Sequence, residues 1–140
     1  MEAPLYPGSR FLSLDRSRDL ALLGGFGGVA EVVSISQKKV VQTIKVGSGT
    51  VTDGLWAGDL VVLAMSTGAV KVFEDDSEVS NFTGHAGEAT SVALHPSGEI
   101  LASVGVDKSY IFYDLMSSTV ATHIYTNSRK HSVILAVVKG

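Results

Sequence analysis

GHAGEATSVALHPSGEILASVGVDKSYIFYDL, Gly84–Leu115, decides the fold. Its runs ATSVAL, ILASV and YIFYDL carry β-branched or aromatic residues mixed with small ones. The breaks between them, HPSGE and GVDKS, carry Gly, Pro or Asp. Short alternating runs bounded by turn residues predict three consecutive antiparallel strands.

The same outline recurs upstream. Forty positions earlier LVVLAMSTGAVKVFE, Leu60–Glu74, lies under ILASVGVDKSYIFYD, and eighty positions earlier LALLGGFGGVAEVVS, Leu20–Ser34, lies there too. Tyr113 falls over Phe73 and Val33, and Asp107 over Thr67 and Gly27. A further strand follows each aromatic position, at Lys39–Ile44, Glu78–Phe82 and Thr119–Tyr125. Ahead of the hairpins, Ser9–Asp19 matches ATSVALHPSGE without a gap, and Val51–Asp59 matches it with two turn residues deleted. The chain therefore reads as three four-stranded antiparallel units with a forty-residue period, the spacing of a repeat architecture.

The glycine-rich turn of the first unit invites another reading. Gly25, Gly27 and Ala30 fit the G-x-G-x-x-A spacing that brings a backbone close to a pyrophosphate at a helix N-terminus. That chemistry needs a helix after the glycines, and VAEVVSIS has no helical apolar stripe. No acidic residue follows about twenty positions on, where QTIKVGSG stands. Gly24–Gly28 is expected instead to turn a hairpin, with glycine supplying positive φ.

Composition narrows the function classes. The 140 residues, 45% apolar and 18% charged, are about one domain's worth, and the net charge of −3 offers no basic field for nucleic acid or anionic lipid. There is no cysteine, so thiol nucleophiles, thiolate metal sites and disulfides are excluded together. The N-terminus lacks a basic-then-apolar signal and no apolar run has membrane-spanning length, which leaves an intracellular protein expected. Glu74–Asp76 reads as a solvated turn and Asn81 as a chance sequon. No two of His85, His95, His123 and His131 lie at metal-ligand spacing with a carboxylate, and no G-x-S-x-G occurs. Neither a catalytic constellation nor a cofactor is expected.

Gly84-His85, His95–Ser103, Asp107 and Tyr113-Asp114 resemble the signature of the WD repeat, with Tyr where that family usually has Trp. The resemblance implies an all-β fold, a partial WD-repeat β-propeller of about three four-stranded antiparallel blades. Its expected divisions are 1–46, 47–83 and 84–126, followed by a non-repeat tail, 127–140. It also implies a structural hydrogen-bond chain through His85, Ser103, Asp107 and Tyr113, although a phenol hydroxyl lies farther out than an indole N–H. In the first two units Leu5 and Gly47 take the His place and Leu23 and Leu63 the Ser place, so those blades are expected to rely on apolar packing alone.

Pro7–Asn127 is further similar to the start of the propeller in the splicing-associated U-box ubiquitin ligases. That likeness rests on PGSRFLSLD, on the first hairpin and on the third unit. It implies a nuclear protein-interaction scaffold whose partners are spliceosome-associated subunits or ubiquitination substrates, with no nucleic acid or membrane bound directly. Ligase activity and homotetramerisation would belong to a U-box and a coiled coil, neither of which these residues show. A WD scaffold of another pathway is the first alternative, and a small nucleotide-binding enzyme using the glycine loop the second. Three blades fall short of the roughly four to eight of a closed ring. Ser128–Gly140 lacks the repeat pattern and reads as an unrelated ending, as of a truncated frame, though VILAVV could add a strand. Val62, Val70 and Val72 are expected between blades, whereas Leu22, Val29 and Val32 are expected to face a missing neighbour. Such open faces predict self-association.

Overall fold

The computed structural model describes residues 9–25 and 27–125. Among the described residues, twelve strands form three separate antiparallel sheets, each of four strands in sequence order. The first holds β1 (Ser9–Asp15), β2 (Leu20–Gly25), β3 (Val29–Ser34) and β4 (Lys39–Lys45). The second holds β5 (Val51–Ala57), β6 (Leu60–Met65), β7 (Val70–Glu74) and β8 (Ser77–Phe82). The third holds β9 (Ala89–Leu94), β10 (Ile100–Gly105), β11 (Ser109–Asp114) and β12 (Thr119–Tyr125). A single 3-10 turn, Arg16–Arg18, is the one helical element among the described residues. The sheets follow one another as blades of a partial β-propeller. Leu5, His131 and the tail 127–140 lie outside the described residues.

The forty-residue period is a period of hydrogen bonding as well as of residue type. Leu22 pairs with Val32, Val62 with Val72 and Ala102 with Phe112. The register slips between third and fourth strands at Val32/Val33, Val72/Phe73 and Phe112/Tyr113, the same place in each sheet. A bulge there bends the outer strand and raises the local twist that lets sheets stack face to face.

Leu20–Gly25 and Val29–Ser34 are paired strands, so the glycine-rich stretch turns a hairpin and no helix follows it. Gly28 adopts φ 65° and its counterpart Gly68 φ 97°. A Cβ on Gly28 would collide with the carbonyl oxygen of Gly47, and one on Gly68 would lie 2.6 Å from that of His85. Glycine at these turns lets the next blade's entry loop approach backbone to backbone.

Alternation along the strands sorts side chains onto two faces. Leu22, Ala30, Val32 and Ile44 of the first sheet are buried with Val61, Leu63 and Phe73 of the second. On the second sheet's other face, Val62, Ala64, Val70 and Val72 are buried with Leu101, Ile111 and Tyr113 of the third. Leu22 and Val32 thus face the second blade, not an empty side, and Val29 is only half-buried. The repeat dictates this, because Leu22 and Val62 are equivalent and point the same way. The first sheet's other face carries Ala21, Leu23 and Val33 instead. The sheets converge at their first strands, β1 against β5 and β5 against β9.

Candidate functional site

The entry loop of the third sheet, two of its strand residues and one residue of the turn between them build one buried polar cluster. Ser103 and Tyr113 sit on β10 and β11 facing the second sheet, while Asp107 lies in the turn between these strands. His85 comes from the loop before β9. Its Nε2 lies 2.7 Å from Ser103 Oγ, its Nδ1 3.1 Å from Asp107 Oδ1, and Ser103 Oγ 2.7 Å from Tyr113 Oη. The four residues named by the WD resemblance therefore stand in a single line. The phenol hydroxyl covers the extra reach because Tyr113 is fully buried, with its ring 4.4 Å from that of Phe82.

Two further groups join them. Ser109 Oγ lies 2.8 Å from Asp107 Oδ1 and 3.0 Å from His85 Nδ1, and the Ala86 N–H donates to Asp107 Oδ2 at 3.0 Å. Ser109 was not singled out from the sequence. The available signal was its place two residues after Asp107, where a Ser or Thr closes a turn on the carboxylate.

The donors run in one direction. An ionised carboxylate only accepts, so His85 donates through Nδ1–H and accepts at Nε2 from Ser103, which accepts from Tyr113. Burial disfavours the imidazolium and lowers the His85 pKa, outweighing the attraction of Asp107. Burial alone would raise the Asp107 carboxyl, but the Ala86 N–H, Ser109 and His85 together bring it down to about 2. Burial lifts the Tyr113 phenol to about 12, against the Ser103 hydrogen bond. Both ring nitrogens of His85 are engaged and the ring is buried, so the cluster ties loop to sheet and presents no free base. Among the described residues, no group of three or more His, Asp or Glu is placed to hold a metal ion.

The other histidines do different things. His95 caps its own turn, its Nδ1 accepting from the Ser97 N–H at 3.1 Å. His123 on β12 lies edge-on to His85 at 6.3 Å, and its Nε2 is buried without a hydrogen-bond partner among the described residues.

At the corresponding places, Leu63 and Phe73 of the second sheet are buried apolar residues. Apolar packing is nevertheless not alone in holding the first two blades. The Thr50 N–H donates to Ser66 Oγ at 2.9 Å, and Lys71 Nζ reaches the Val46 carbonyl at 3.0 Å and Glu78 at 3.2 Å. Asp53 on β5 accepts from the Val92 N–H and from Ser91 Oγ at 3.0 and 3.1 Å, tying second blade to third. Arg18 lies over the Trp56 ring and donates to the Gly58 carbonyl at 2.9 Å, tying first to second. These groups satisfy backbone atoms that sheet edges and entry loops would otherwise leave bare.

A scan against protein-family models finds no match. A search of curated proteins finds pre-mRNA-processing factor 19 homolog 2 of Arabidopsis thaliana, 24% identical over 130 residues. The matched stretch covers 88% of this chain and 25% of that protein, so the chain spans about a quarter of its relative's length. The likeness and the blade-like sheets together support a WD-repeat-like all-β chain.

Proposed function

We propose that this chain is a protein-interaction scaffold of pre-mRNA processing, a WD-repeat segment of the pre-mRNA-processing factor 19 type. The observation that carries the reading is the match across 130 residues to a protein of that name, over a stretch that folds as three successive four-stranded blades. The blades divide at 1–46, 47–83 and 84–126, with His85, Ser103, Asp107 and Tyr113 as an internal tie of the third. Its partners are spliceosome-associated proteins or ubiquitination substrates, it acts in the nucleus, and it transfers no ubiquitin by itself.

Affinity purification of the tagged chain from nuclear extract, with quantitative mass spectrometry against a tag-only control, tests the pathway. Selective enrichment of splicing-complex proteins is expected. Enrichment of a different assembly would make it a WD scaffold of another pathway. Incubation with ubiquitin, activating enzyme and a panel of conjugating enzymes is expected to yield no ubiquitin chains. Chain formation would place catalysis in these residues and overturn that part of the reading.

A further inference from the structure

We propose that the buried polar line of the third sheet is a relay between blades: by holding its own entry loop, it sets the turn 66–68 of the second sheet. That loop, 84–88, is clasped on its own blade's side. His85 is tied to Ser103 and Asp107, the Ala86 N–H donates to Asp107 Oδ2 at 3.0 Å, and the Val106 N–H donates to the Glu88 carbonyl at 2.9 Å. A Cβ on Gly105 would lie 2.6 Å from His85 Nδ1 and 2.9 Å from the Glu88 carbonyl oxygen, so the loop has no slack toward β10.

On its other side the loop meets the second blade. A Cβ on buried Gly68 would lie 2.6 Å from the His85 carbonyl oxygen and 2.8 Å from that of Gly87. Gly68 holds φ 97°, and its N–H closes the turn by donating to the Met65 carbonyl at 3.0 Å. Backbone meets backbone here, with no flexible side chain between them to absorb a shift. A loop displaced by a broken His85 tie therefore moves the turn with it, and exposed Thr67 at the tip moves too. Such coupling is reciprocal, so whatever holds the Thr67 turn also holds the His85 line.

The junction of first and second sheets repeats the relay with different chemistry. Gly28, at φ 65°, packs on the Gly47 carbonyl, and the Val46 N–H donates to the Gly28 carbonyl at 2.9 Å. Gly47 stands at the place of His85 and has no side chain to tie. The second sheet instead holds this loop through Lys71, whose Nζ reaches the Val46 carbonyl at 3.0 Å. Each entry loop is thus fixed by a polar group of its own blade and passes that position to a glycine turn of the blade before.

Amide hydrogen exchange of the isotope-labelled chain, read by NMR at Val46 and Gly68, separates the two relays. Asp107→Asn turns one of two acceptor oxygens into a donor. It is expected to speed exchange at Gly68 about tenfold, the effect of stranding one buried donor, and to leave Val46 at its wild-type rate. Lys71→Met keeps the aliphatic stem and is expected to do the reverse, speeding Val46 and leaving Gly68 unchanged. Circular dichroism checks that each variant keeps its sheets. Where Asp107→Asn does not, Ser109→Ala takes one donor from Asp107, leaves its other partners, and is expected to speed Gly68 by a smaller factor. Gly68 exchange that stays at the wild-type rate in the folded variant overturns the proposal. So does a rise shared equally by Gly68 and Val46 in Asp107→Asn, which would report general loosening of the chain.

Discussion

The second and third sheets occupy the same backbone positions with opposite chemistry. In the third, Ser103, Tyr113 and His85 form a buried polar line ending on Asp107; in the second, Leu63 and Phe73 are buried among hydrocarbons and Gly47 stands at the loop position of His85. Strand pairing, the bulge between third and fourth strands and the face-to-face stacking are nevertheless the same. The blade is thus specified by alternation, turn residues and register. The polar line is an addition that fixes the entry loop, and it commits every member, because a buried group deprived of its partner costs more than the bond contributed.

The largest expected effect separates the two sheets directly. Asp107→Ala removes the acceptor for His85 Nδ1, Ser109 Oγ and the Ala86 N–H at once. A loss of about 3 kcal/mol is expected, the upper end for stranding buried donors of a charged acceptor. Thr67→Ala, at the matching turn of the second sheet, is expected to cost below about 0.5 kcal/mol, as for ordinary surface changes. Denaturant titration of both variants checks the asymmetry, and equal midpoint shifts would break it.

A second variant pair transplants the difference. Phe73→Tyr places a hydroxyl on the face of buried Leu63, whose side chain offers no acceptor, and is expected to cost about 2 kcal/mol. Adding Leu63→Ser restores a partner at the spacing of Ser103 and Tyr113. The double variant is therefore expected to be at least about 0.5 kcal/mol more stable than the sum of the single effects, the signature of contacting residues. Additivity would mean that the entry-loop histidine, absent here, is needed before the pair can form.

Tyr113→Phe removes one hydroxyl while Ser103 keeps His85, so about 1 kcal/mol is expected, the usual worth of one neutral hydrogen bond. The buried ring and its contact with Phe82 remain. Thermal denaturation with an unchanged calorimetric slope would show that only the link has gone.

Much of this was legible because strands announce themselves by a two-residue period. Leu60–Met65 and Val70–Glu74 each repeat the outline of Ile100–Gly105 and Ser109–Asp114, and registers forty apart follow from that. The choice of face was less legible. Leu22 and Val32 looked like residues of an open end until their equivalence with Val62 and Val72 is followed through the stack. A local pattern shows that two faces exist, whereas only the order of blades says which is covered. Within the polar line, His85, Ser103, Asp107 and Tyr113 followed from the repeat signature. Ser109 escaped because its role comes from the turn that bends its hydroxyl back onto Asp107. The ties through Asp53, Arg18 and Lys71 escaped for another reason: their partners are backbone atoms of another blade or its entry loop, which no residue pattern records.

The smallest effect is a slope with pH, and its sign follows from the buried imidazole. Burial lowers the His85 pKa in the folded chain, so below the ordinary histidine value of 6.5 the unfolded chain binds the proton first. The stability that neutral His85 contributes is whole above pH 6.5 and declines as pH falls toward the lowered value. Over the first unit below 6.5 the decline is at most about 1 kcal/mol for one proton. Asp107 adds a second decline only below its unfolded value of 3.8, as pH falls toward about 2. His85→Gln, which keeps a neutral hydrogen-bonding side chain, is expected to lower stability at pH 7.5 yet flatten the part of the slope between pH 6.5 and 5.5 that His85 contributes. The second sheet has no titratable counterpart to His85, so blade-resolved hydrogen exchange should show this slope in amides of β9–β11 more than in those of β5–β7. A slope shared equally by the two sheets, or one that survives His85→Gln undiminished, would assign it to other groups.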